Sequence, residues 1–143
     1  SKYVPALLKN KNLQEMTLVT SKNHGNETLR KVIQKINFCK VEIMGSIGCK
    51  IASLVRGESD IYICLSLPGK SSPKDWDFAA PSAILRAAGG AITNLWDGQL
   101  IFGNSNFEQG GIIVATNNAD NHMKICSEIK AIIEKFNLYP LSI

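Results

Sequence analysis

No apolar run in this sequence approaches the length of a membrane span. The longest, Gly111 to Ala115 and Ile61 to Leu67, fall well short of the roughly 20 residues a bilayer-crossing helix requires, so no membrane partner is expected and the chain is read as soluble. No C-x-x-C pair occurs either. The four cysteines, Cys39, Cys49, Cys64 and Cys126, are widely separated, three lie in apolar segments, and only His24 and His122 stand ready to complete a zinc site. Reduced core thiols and a cytoplasmic setting follow. Aromatic residues are scarce at 7%, and the basic residues behind the +4 net charge are scattered along the chain. Nucleic-acid binders concentrate such charge and interleave aromatics with it, so nucleic acid is not an expected partner; a small anion is. The opening residues, SKYVPALLKNKN, are basic but lack the apolar core of a signal peptide, and no initiator Met is present. Residue 1 is therefore expected not to be a natural start.

What the sequence does contain is a core of ordinary size for one domain: 143 residues, 45% hydrophobic and 20% charged. Short β-rich runs alternate with segments of helical period, without repeats or low-complexity tracts, and that alternation predicts an α/β fold. Strands are expected at Thr17 to Thr20, Val41 to Met44, Asp60 to Leu65, Ala91 to Leu95 and Gly111 to Thr116. Between Asn26 and Asn37, the residues Leu29, Val32, Ile33 and Ile36 form one apolar stripe, with Asn26 as N-cap. Ile47, Ile51, Leu54 and Val55 repeat that geometry, with Ser46, Lys50 and Ser53 on another face and Gly57 as terminator. A third helix runs from about Asp77 to Ala88. Its alanines, 79, 80, 83, 87 and 88, predict close approach to a sheet, and Gly89 and Gly90 stop it. A last helix near Ala119 to Phe136, with Cys126, Ile129, Ile133 and Phe136 on one side, reads as scaffold.

Ligands of α/β layers gather where strands end and helices begin, because free N–H groups and the helix dipole favour anions there. Three such junctions are chemically unusual. L-V-T-S-K-N-H-G-N delivers Ser21, Lys22 and His24 ahead of a helix, although polar loop residues of this kind are common. M-G-S-I-G-C-K-I sets two glycines before Lys50, a pattern suited to a phosphate cradle or merely to tight packing; it is not a Walker loop. K-D-W-D-F-A-A-P places Asp75 and Asp77 at a helix start, where a carboxylate caps the helix or, in the case of Asp77, binds Mg²⁺. Pro81 is expected in the first turn, which keeps Asp77 at the helix mouth.

The string W-D-F-A-A-P-S-A-I-L-R-A-A-G-G-A-I-T resembles the second signature of the inositol monophosphatase superfamily. Upstream, G-S-I-G-C-K-I-A-S-L-V-R-G-E-S-D-I-Y and T-S-K-N-H are similar to segments of its 3′(2′),5′-bisphosphate nucleotidase branch, in the same order and spacing. The resemblance covers roughly Leu18 to Asn117. It implies a mixed β-sheet layered with helices, the C-terminal domain of the layered sugar-phosphatase-type fold, with the whole chain as the substrate-binding domain of a two-domain phosphatase.

The resemblance also implies a Mg²⁺-dependent phosphomonoesterase acting on the 3′-phosphate of adenosine 3′,5′-bisphosphate, within sulfur metabolism. Asp77 would be a magnesium ligand close to substrate, and His24, Ser46, Ile47 and Lys50 would lie near the nucleotide and its phosphates, Ile47 through its backbone alone. Cys64 stands where several relatives place an Arg, and Ala88 where a Glu is frequent. The family's acidic first signature is absent, so its remaining metal ligands are expected in an N-terminal domain preceding Ser1, and this polypeptide alone is expected to be inactive. Hydrolysis of an inositol or sugar monophosphate, or a non-catalytic binding role, are the competing readings. The expected partners are a bisphosphate nucleotide, the N-terminal domain and, as one assembly, a homodimer.

Overall fold

A short 3₁₀ turn (Leu13–Glu15) leads into β1 (Thr17–Ser21), α1 (Glu27–Ile36), β2 (Lys40–Met44), α2 (Ile47–Val55) and β3 (Ile61–Ser66). Then follow α3 (Asp75–Ala87), β4 (Ala91–Asn94), β5 (Gly98–Gln99), β6 (Gly111–Thr116) and α4 (Ala119–Phe136). These elements belong to a computed structural model, which describes residues 11–21, 27–66, 75–95, 98–99 and 111–138, with the backbone alone described for 66, 75–77 and 98–99.

The strands form one mixed sheet in the order β2-β1-β3-β6-β4-β5. β1 pairs in parallel with both β2 and β3, whereas β3 with β6, β6 with β4 and β4 with β5 are antiparallel. Period-two alternation sorts the side chains into two cores. Leu18, Ile63, Ile112 and Val114 face Leu29, Val32 and Ile36 of α1 and Ile125, Ile129 and Ile133 of α4. Val19, Tyr62, Ile113 and Ala115 face Ile51 and Leu54 of α2 and Phe78 and Leu85 of α3. Each fully buried Leu or Ile contributes about 1.5–3 kcal/mol relative to exposure, so these paired stripes hold the layers together.

The helices that follow β1 and β3 thus lie on opposite faces of two adjacent parallel strands. Such a reversal opens a crevice at the strands' carboxyl ends, the usual ligand position of open α/β sheets. Ser21 and Ser66 end the two strands there, beside Met44 at the end of β2.

Several expectations need correction. Pro81 is the seventh residue of α3, not a first-turn residue. It removes the bond that the Asp77 carbonyl would accept, and Phe78 and Leu85, both buried, hold the helix across that gap. Asp77 stays at the helix mouth because the helix begins at Asp75. The alanines of α3 do not face the sheet: Ala79, Ala80, Ala83, Ala87 and Ala88 are exposed, and Phe78, Ser82 and Leu85 make the contact. Only Cys126 of the four free cysteines is buried; Cys64 is half-buried, and Cys39 and Cys49 are exposed. Val55 and Phe136 lie at the rim of their stripes, and Phe136 takes the Lys35 ammonium over its ring at 4.4 Å.

Candidate functional site

Ser46, Ile47 and Lys50 come together where β2 ends and α2 begins. Ser46 is the N-cap: its extended backbone (φ −77°, ψ 162°) turns Oγ back to accept the Cys49 N–H at 3.1 Å, and its carbonyl accepts the Lys50 N–H at 3.1 Å. The first of these bonds satisfies one orphan amide of the helix start, that of Cys49, and the second is the first bond of the helix ladder. The N–H groups of Ile47 and Gly48 have no acceptor among the described residues and lie at the positive end of the helix dipole.

The two glycines here have no reason internal to the fold. A Cβ at Gly45 would meet nothing within 4 Å, and one at Gly48 would meet only Ser46 Oγ, at 3.8 Å. Neither has the positive φ seen at Gly57, Gly89 and Gly111. Neither packing nor backbone conformation requires glycine, so what these residues supply is open space against the backbone.

Beneath this turn lies Lys50, only 1% exposed. Its ammonium donates to the Gly45 carbonyl at 2.7 Å and to Ser21 Oγ at 3.0 Å, with the Tyr62 ring 5.3 Å away. Burial lowers its pKa, opposed in part by the neighbouring thiols of Cys64 and Cys49. No carboxylate pairs with it among the described residues. The opposite end of the sheet shows the contrast, because there the buried Asp60 carboxylate is matched by the Lys11 ammonium at 3.2 Å and the Thr17 N–H at 2.8 Å. A buried cation with no counter-charge, next to open amides, is an arrangement suited to an anion. Met44, Ile47 and the half-buried Cys64 pack against the core cluster that includes Val19, Ile51 and Tyr62. Burial raises the Cys64 pKa, so the thiol stays neutral.

The remaining expected residues are placed less completely. Asp77 is the third residue of α3, its side chain outside the described residues, and His24 lies outside them altogether. Among the described residues no cluster of three or more His, Cys, Asp or Glu is gathered to hold a metal ion. No described helix is long and apolar enough to cross a membrane.

Two features escape the sequence reading. Ser21 was visible at its junction, but its role as the acceptor for Lys50 depends on β1 and β2 lying side by side. His122 belongs to a buried polar knot: Nε2 is 2.8 Å from Thr93 Oγ1 and 3.4 Å from Cys126 Sγ, and Nδ1 is 2.9 Å from Thr116 Oγ1. Burial pushes its pKa down to about 4, so it sits neutral, as a structural group tying α4 to β4 and β6.

Comparison with known proteins places this geometry. The model of the inositol monophosphatase family matches residues 3–134. The 3′(2′),5′-bisphosphate nucleotidase CysQ of Buchnera aphidicola is 39% identical over 83 residues, 58% of this chain and 29% of that protein. The mouse 3′(2′),5′-bisphosphate nucleotidase 1 is 30% identical over 103 residues, 71% of this chain and 32% of its own. Among solved structures, staphylococcal SaIMPase-II with bound inositol monophosphate superposes with a TM-score of 0.63 at 20% identity, over 91% of this chain and 50% of that one. An IMPase from Thermotoga maritima does so with a TM-score of 0.62 at 19% identity, over 89% and 45%. The chain thus spans about a third of the curated relatives it matches and half or less of the solved ones.

Proposed function

The chain belongs to the inositol monophosphatase family, and from that membership we propose that it forms the substrate-binding, C-terminal part of a magnesium-dependent phosphomonoesterase removing the 3′-phosphate of adenosine 3′,5′-bisphosphate. The observation that carries this reading is the buried Lys50 ammonium, without a described carboxylate partner, beneath the open amides of Ile47 and Gly48. A phosphate at that helix mouth meets N–H donors in front and a fixed positive charge behind, across a layer of low dielectric. A bisphosphate needs such a position away from the reacting ester. We assign Ser46, Ile47 and Lys50 to it, together with His24, which follows β1 in the sequence. The nucleotidase names of the Buchnera and mouse relatives support the nucleotide; the inositol monophosphate bound to SaIMPase-II favours the rival, an inositol or sugar monophosphate.

Asp77 is the residue of this chain that would hold Mg²⁺, since one carboxylate at a helix mouth suits a hard cation that shares its remaining positions with water and phosphate oxygens. When bound, the ion supplies charge stabilisation at the phosphoryl oxygens and a more acidic water. The other ligands we assign to an N-terminal part of the family fold, and the exposed apolar face of α3, from Ala79 through Ala83 and Ile84 to Ala87, is our candidate for its seat. On this reading the 143-residue chain binds substrate without turning it over.

Calorimetric titration of the chain with adenosine 3′,5′-bisphosphate and with inositol monophosphate tests the assignment. Tighter binding of the nucleotide, and a larger loss for it in Lys50→Met, are expected. Equal losses for both ligands would shift the reading to the sugar monophosphate, and no binding of either would remove the anion site.

A further inference from the structure

The Lys50 ammonium has two hydrogen-bond acceptors among the described residues, and they belong to different parts of the fold. The Gly45 carbonyl lies in the turn that leads into α2, so it travels with the helix that carries Lys50. Ser21 Oγ, 3.0 Å away, comes from β1, 29 residues earlier in the sequence. Ser21 is the last residue of that strand, in register with Met44, and shares the parity of the buried Val19, which faces α2 and α3. Among the described residues, its oxygen is the acceptor that ties the ammonium to the sheet. A lysine stem has several rotatable bonds, so an acceptor on its own helix alone leaves the charge free to swing; a second from a neighbouring strand fixes it. The kind of acceptor also decides how much charge is left over. At the opposite end of the sheet the Asp60 carboxylate cancels the Lys11 ammonium. A hydroxyl oxygen orients a cation and leaves its full charge to act on an anion.

We propose that Ser21 is a positioning residue for the anion site: its hydroxyl oxygen accepts from the Lys50 ammonium, holds it in one place behind the Ile47 and Gly48 amides, and leaves its charge uncancelled. This role rests on the reading of Lys50 as the anion-binding charge of a phosphomonoesterase. A charge already fixed in place costs a ligand less than one that must be ordered on binding, and that difference is what Ser21 contributes. Because Ser21 acts through Lys50, its contribution to affinity exists only while the ammonium is present. Thr at this position supplies the same oxygen and suits a strand, so it serves as well. A side chain without a good acceptor does not.

Calorimetric titration with adenosine 3′,5′-bisphosphate, under reducing conditions and across a double-mutant cycle, is the test. Ser21→Ala should weaken binding about fivefold or more in the otherwise unchanged chain, and less than about twofold in the Lys50→Met background. Ser21→Thr should stay within about twofold of the parent. Ser21→Cys, close to serine in volume but a weak acceptor, should lose affinity as Ser21→Ala does, and it takes that variant's place should alanine disturb the strand end. An equal loss for Ser21→Ala in both backgrounds overturns the proposal, because the hydroxyl then serves the ligand or the fold directly. Full affinity in Ser21→Ala and Ser21→Cys, where Lys50→Met has lost it, also overturns it and leaves the anion site standing. Failure of Ser21→Thr to keep the affinity counts against it too. If Lys50→Met binds as the parent does, the anion-site reading falls and the role of Ser21 falls with it.

Discussion

Lys50 reaches back along its own helix to hold the carbonyl oxygen of Gly45 at 2.7 Å. The ammonium thus fixes the turn that presents the open amides, and it carries a burial penalty that no described carboxylate offsets. Lys50→Met keeps most of the packing volume and removes the charge. Its stability near neutrality should equal or exceed that of the parent, since a buried charge replaced by a well-packed apolar group is often neutral or stabilising. Affinity for adenosine 3′,5′-bisphosphate should fall about tenfold or more, the usual loss for a bond to a charged group. The pH dependence has a definite sign. Burial lowers the Lys50 pKa from 10.5, so between the folded pKa and 10.5 the unfolded chain binds the extra proton and stability rises with pH. The advantage of Lys50→Met should therefore shrink as pH approaches 10.5. Urea unfolding of both proteins across that range measures it; an advantage that grows with pH would refute the buried-charge account.

His122 predicts acid lability. Burial holds its folded pKa at about 4, below the ordinary histidine value of 6.5. The unfolded chain takes up the proton first as pH falls, so the stability present above pH 6.5 is lost progressively down to about pH 4. The loss should reach roughly 3 kcal/mol, at 1.36 kcal/mol per pKa unit. In His122→Gln, which keeps a donor and an acceptor between Thr93 and Thr116, the slope over this window should be visibly shallower. Parallel slopes in thermal melts of the two proteins would show that other groups govern acid unfolding.

Glycine substitutions separate space needed by the fold from space left for a ligand. A Cβ at Gly90 would lie 2.5 Å from Leu85 Cδ1 and 2.5 Å from the Thr116 carbonyl oxygen. Gly90→Ala should cost about 1–3 kcal/mol, because the end of α3 can no longer lie against β6. Gly48→Ala meets open space in a first helical turn and should stabilise the chain by about 0.4–1 kcal/mol. The same methyl group would crowd an anion at the Ile47 and Gly48 amides, so binding should weaken while stability rises. Unchanged anion affinity in Gly48→Ala, by calorimetry, would place the ligand elsewhere.

The elements were legible where periodicity was strong. Gly111 to Thr116 and Ala119 to Phe136 are as expected to the residue, and the stripe of Leu29, Val32 and Ile36 is buried. β5 escaped because two residues carry no period, and the 3₁₀ turn because its signal is a capping box of Asn12 and Glu15 rather than an apolar stripe. The direction in which α3 turns its alanines was not readable, since a small residue fits either a close contact or a surface awaiting one. At the site, the G-S-I-G-C-K string revealed the residue types. That Lys50 is buried rather than presented at the surface, with Ser21 as its acceptor, depends on β1 lying next to β2, and a linear string carries no strand order.

Asp77 separates capping from metal ligation in one substitution. The residue lies in the first turn of α3, where a carboxylate is favourable toward the helix dipole whether or not an ion is bound. Asn is also a good residue at helix starts, so Asp77→Asn should change the melting temperature of the chain little if the dipole is all it serves. If Asp77 holds Mg²⁺ as proposed, the loss appears only in the full-length protein with metal present. There kcat for release of the 3′-phosphate should fall at least ~100-fold, because a displaced ion forfeits several kcal/mol of transition-state stabilisation. Without metal the two proteins should unfold alike, and added Mg²⁺ should raise the melting temperature of the parent more than that of the variant, by mass action on the folded state. Melting curves with and without Mg²⁺, measured on the same preparations as turnover, make both comparisons. Near-normal turnover together with an equal magnesium shift would return Asp77 to a purely structural place at the start of α3.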